Sequence, residues 1–131
     1  MPSDTAQPAT SFLDRLAAAV PPRQRVRDKL GSVEVDLVAL TGGERNRIID
    51  RAKAPGGGKG IVLARYQVDL VIAGVYRPDT DERVFTAKNE ELINRFPAEE
   101  IDRVCKVIEK LSGLDKKAEE RAEGNSEEGD V

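Results

Sequence analysis

Histidine is missing altogether from this chain, and cysteine occurs once, at Cys105. Those two absences exclude most chemistry at neutral pH. A Ser-His-Asp or Cys-His site cannot be assembled, and a structural zinc site needs four ligands of a kind that Cys105 alone cannot supply. No disulfide can close within the chain, which suits a reducing compartment. Tryptophan is also absent and aromatics make up only 4% of residues, so the core must be built from Val, Leu and Ile. No apolar run approaches membrane-spanning length, and Met1 to Thr10 lacks a basic start followed by an apolar stretch. The sequence therefore predicts neither export nor membrane insertion, and a cytoplasmic location is expected.

Charge is unevenly placed. Residues 115–131 hold seven acidic and three basic side chains, so that segment carries −4 and residues 1–114 carry +1. A body so close to neutral lacks the clustered Lys and Arg of a nucleic-acid surface. Arg23, Arg25, Arg27 and Lys29 form one local exception. Their alternation puts them on one face of a strand, where they read as a solvated face that discourages edge pairing.

At 131 residues the chain fits one small domain with tails. The expected organisation is a polar arm over 1–10, a globular α+β domain over 11–114, and an acidic, disordered tail over 115–131. That domain is expected to be mostly helical with one N-terminal β-hairpin. Ser11 precedes Phe12, Leu13, Leu16, Ala17 and Val20, an apolar stripe at helical spacing that Pro21-Pro22 stops. This short helix is either a piece of core or a docking element for a partner or a second copy in a homo-oligomer.

From Gln24 to Leu30 and from Val33 to Leu40 the chain reads extended, with Gly31-Ser32 as a two-residue type II′ turn. Val33, Val35 and Leu37 fall on one face, and Glu34, Asp36 and Val38 on the other. Thr41 then sits three residues before Glu44, the spacing of a capping box. After it Ile48, Ile49 and Ala52 line one face of a helix. Gly56-Gly57-Gly58-Lys59-Gly60 looks superficially like a phosphate loop. It lacks the early glycine and the Ser or Thr after Lys59, and it follows a helix instead of a strand.

Ile61 to Tyr76 is β-branched yet too long for a strand in so small a domain, so it is read as a helix stopped by Gly74. Residues 75–85 suggest a second short hairpin or a bent connection around Pro78-Asp79-Thr80-Asp81. Asn89 to Phe96 reads as a short helix. Pro97 opens the most regular one, with Ile101, Val104, Cys105, Ile108 and Leu111 at three- and four-residue steps. Gly113 supplies its left-handed stop, with Leu114 folding back. On this stripe Cys105 is a small buried apolar residue. Carboxylate catalysis would need a pair such as Asp69 with Asp79 or Asp81 fixed around a pocket, and no spacing does this. No catalytic, cofactor or metal residues are assigned.

The order of these elements resembles the tail assembly chaperones of long-tailed bacteriophages. What carries the resemblance is the Phe12-Leu13 helix, the hairpin, the junction Leu40-Thr41-Gly42-Gly43-Glu44-Arg45, the long middle helix leading to Val84-Phe85, and the terminal Leu111-Ser112-Gly113-Leu114-Asp115. The Ala54 to Gly60 stretch departs from the compact form of that family. The resemblance implies a non-catalytic assembly factor of the host bacterial cytoplasm that binds the tape measure protein and helps recruit tail tube protein. It also implies a longer form made by frameshifting near the end of the reading frame, for which Lys116-Lys117 is a candidate place. Phe12, Leu13 and Leu16 are the residues expected to contact a partner. The alternative is a structural particle component, a head-tail joining or tail completion protein.

Overall fold

A computed structural model describes residues 8–57 and 60–114. The polar arm before Pro8, Gly58-Lys59 and the acidic segment from Asp115 lie outside the described residues. Five α-helices and a three-stranded antiparallel sheet are present among the described residues: α1 (Pro8–Ala18), β1 (Arg25–Leu30), β2 (Val33–Val38), α2 (Gly42–Ala52), α3 (Leu63–Gly74), β3 (Val75–Tyr76), α4 (Glu90–Ile93) and α5 (Ala98–Leu111). The α+β class expected from the sequence is the class observed.

The hairpin forms in the expected register, with Leu30 opposite Val33 and Arg25 opposite Val38. Gly31 has φ +64 and Ser32 is not in the positive-φ region, as a turn with glycine at its first central position requires. The turn is tied down by the Glu100 carboxylate of α5, which accepts the Gly31 N–H. β2 is the middle strand, with β3 on its far side pairing Leu37 with Val75 and Asp36 with Tyr76. This changes the reading of β2 as half-buried: from Val35 to Val38 it is buried on both faces.

One face of the sheet carries Val35, Leu37 and Val75 into the main core. There they meet Leu70 and Val71 of α3 and Ile101, Val104, Cys105 and Ile108 of α5. α3 and α5 pack closely because Gly74 has no side chain: a Cβ built there would lie 2.7 Å from Ile108 Cδ1. Polar ties position α5 further. The Tyr66 hydroxyl donates to Glu109 at 2.7 Å, and Arg103 donates to Asp28 at 2.6 Å and to the Lys29 carbonyl at 3.0 Å.

The capping box at the head of α2 is complete. Thr41 Oγ1 accepts the Glu44 N–H at 3.1 Å, and Glu44 Oε1 accepts the Thr41 N–H at 2.9 Å. α5 ends in a full Schellman arrangement: the Leu114 N–H donates to the Glu109 carbonyl at 2.7 Å and the Gly113 N–H to the Lys110 carbonyl at 3.3 Å.

Several expectations shift. α1 begins at Pro8, ahead of Ser11, and Pro suits a first helical position because its missing N–H has no intrahelical use. Pro97 caps α5 from outside instead of opening it. Ile49 is exposed, whereas Ile48 and Ala52 are buried, so the core face of α2 is narrower than its apolar stripe. The helix over 61–76 ends at Gly74, and Val75-Tyr76 turn into the sheet. The bend that follows closes through a Tyr76–Arg83 bridge and an Arg77 N–H to Glu82 carbonyl bond of 2.8 Å, a short second hairpin.

Candidate functional site

Three surfaces stand out from the packed domain. The first is α1. Every side chain from Ser11 to Val20 is exposed, including the expected contact residues Phe12 (53%), Leu13 (64%) and Leu16 (51%). The apolar spacing that makes α1 amphipathic therefore serves no core among the described residues, and taking such a side chain fully from water into an apolar contact is worth about 1.5–3 kcal/mol. The Arg15 guanidinium lies 5.5 Å from the Phe12 ring centre.

The second surface is the outer face of the sheet. Strand pairing places Arg25, Arg27, Asp36, Tyr76 and Arg83 on one side, as the alternation of the basic run predicted for its own members. These arginines are not simply solvated. Asp36, 3% exposed, accepts from Arg25 Nη2 at 2.7 Å, from Arg27 Nε at 2.5 Å and from the Asp79 N–H at 2.9 Å. Burial alone would raise the Asp36 carboxyl, but the Asp79 N–H and the two guanidinium groups outweigh it and hold the pKa down at about 2.

Around this hub Asp79 pairs with Arg27 at 2.8 Å and Asp81 with Arg25 at 3.8 Å. Glu44, already in the capping box, also pairs with Arg23 at 3.0 Å and with Arg83. Arg23, Arg25 and Arg83 stand 5.5, 5.7 and 5.7 Å from the centre of the buried Tyr76 ring. The network clamps the 77–83 bend and the head of α2 onto the hairpin. Sequence reasoning missed it because Asp36 and Asp79 are far apart in the chain. The one local signal was a carboxylate centred opposite a basic strand.

The third surface is a groove of about 330 Å³ where α2 passes α3. Its floor is Ile48, Ile72 and Ala73, and its rim carries Arg47, Arg51 and Arg83 with Glu44 and Asp69. Asp69 pairs with Arg51 at 3.0 Å and with Arg65 at 3.5 Å. The structure thus does not join Asp69 to Asp79 or Asp81: each is held in a separate ion pair. Cys105 lies buried on α5, where desolvation, then the nearby Glu109 and Asp102 carboxylates, push its thiol up to about 12. It is a packing residue. The Gly-rich stretch after α2 follows a helix, as expected, and Gly56 has φ +77.

No protein-family model and no curated protein sequence matches the chain. Among solved structures it is similar to the tail assembly chaperone of bacteriophage HK97, with a TM-score of 0.50 at 18% identity, over 77% of this chain and 97% of that one. At that identity the likeness shows the fold alone, which this chain shares with that protein.

Proposed function

We propose that this chain is a phage tail assembly chaperone that acts in the host bacterial cytoplasm, binds the tape measure protein and helps recruit tail tube subunits. The observation that carries the reading is the shared fold, which spans 97% of the HK97 chaperone. The exposed face of α1 supports it. A chaperone for long amphipathic helices needs apolar surface that its own core does not consume, and Phe12, Leu13 and Leu16 provide this. Charged residues elsewhere keep such a complex soluble.

The test is co-expression with the tape measure protein of the same phage. Changing Leu13 and Leu16 to Asp is expected to abolish co-purification while circular dichroism and melting temperature stay unchanged, since both side chains are more than half exposed. Retained co-purification would remove α1 from the contact. Mass spectrometry of purified particles addresses the whole reading, because a chaperone is absent from finished particles. Its presence there would favour a head-tail joining or tail completion protein.

A further inference from the structure

The α2–α3 groove combines an apolar floor with a rim that is not charge-balanced. Arg51 and Arg83 answer Asp69 and Glu44, but Arg47 faces no carboxylate within 4 Å among the described residues. The groove therefore suits an acidic segment with small apolar side chains.

The chain itself contains such a segment. Residues 115–131 carry −4, and their only apolar side chains are Ala118, Ala122 and Val131. Ala118 and Ala122, four residues apart, are small enough for a shallow floor, with Glu119, Glu120 and Glu123 beside them to meet the rim. The point of departure is also suitable. Ser112 is bonded to Leu40, so the chain leaves the domain next to the Leu40–Glu44 junction, and Glu44 is itself part of the groove. Random-coil scaling, about 5–6 Å times the square root of the number of residues, gives a reach of about 23 Å for a chain of this length.

We propose that the α2–α3 groove binds the acidic 115–131 segment of the same molecule, through Arg47, Arg51 and Arg83 above the Ile48–Ile72 floor. Bound there, the tail screens a second apolar surface and leaves α1 as the open one. An acidic client segment would compete with the tail for the same arginines.

The full chain provides the test, because Cys105 is buried and a cysteine placed at Ser126 gives a unique site for a nitroxide label. The expected result is paramagnetic broadening concentrated on the Ile48 and Ile72 methyl groups. It should fall several-fold in Arg47→Glu, whose exposed side chain lets the fold survive, and at about 0.5 M salt, where the Debye length drops below about 5 Å. Broadening spread evenly over the surface, centred on the β1 arginines, or unchanged in Arg47→Glu would overturn the proposal. So would broadening passed from labelled to unlabelled copies, which would put the tail on another molecule.

Discussion

Ser112 Oγ accepts the backbone N–H of Leu40 at 2.8 Å while donating to the Ile108 carbonyl at 2.6 Å. One hydroxyl thus joins the end of α5 to the junction that leads from β2 into α2. The two short motifs, Leu40-Thr41-Gly42-Gly43-Glu44 and Leu111-Ser112-Gly113-Leu114, are separate in sequence and adjacent in space. Ser112→Ala would leave the Leu40 amide without its acceptor at a buried position. A loss of about 1–2 kcal/mol is expected in urea unfolding, together with faster hydrogen exchange of the Leu40 amide. An unchanged exchange rate would show that this amide draws no protection from Ser112.

Asp36 makes stability depend on acid. Its folded pKa of about 2 lies below the ordinary 3.8, so its contribution is fully present above about pH 4 and is lost as pH falls toward 2. Asp36→Asn is expected to cost about 2 kcal/mol at pH 7. The gap between variant and parent should close as pH drops from 4 to 2, read from urea midpoints across that range. A gap that stays constant with pH would mean that the carboxylate charge is not what holds the 77–83 bend.

Gly74→Ala sets two effects against each other. Replacing glycine by alanine within a helix ordinarily gains about 1 kcal/mol, but here the new Cβ would meet Cδ1, Cγ1 and Cγ2 of Ile108 at 2.7–3.0 Å. The whole branched side chain must move in a closed core, at about 1–3 kcal/mol. A net drop in melting temperature is expected, partly recovered in a Gly74→Ala, Ile108→Val double variant. Additive losses in the double variant would place the strain elsewhere.

Cys105 should be silent toward thiol reagents in the native state, because only the thiolate reacts and burial holds the pKa near 12. Labelling at pH 8 is expected to track global unfolding across a urea titration. Rapid labelling in the absence of urea would reveal local opening between α3 and α5.

The elements that the sequence announces are those with strictly local grammar. The α5 stripe, the Gly31 turn, the Thr41–Glu44 box and the Gly113 stop each need fewer than about fifteen residues of context, and all four form as expected. β2 did not announce that Val35 to Val38 are buried on both faces, because that depends on Val75-Tyr76 arriving on its far side. The Asp36 network and the α2–α3 groove were illegible for the same reason: Arg83 reaches Glu44 across a sequence separation of 39. Ile49 misled because apolar spacing shows an amphipathic stripe without showing how wide the covering element is. α1 was legible as an amphipathic helix, and only the fold showed that no described element covers it.

The position of α5 has a consequence for synthesis. This helix supplies Ile101, Val104, Cys105 and Ile108 to the core and is the last of the described elements to leave the ribosome. Until it emerges, Leu37, Leu70 and Val75 have no lid, and the nascent chain presents a sticky sheet face to its surroundings. Completion of the described core therefore waits for α5 to be translated, and a chain that stops short of Ala98 would leave the sheet face bare.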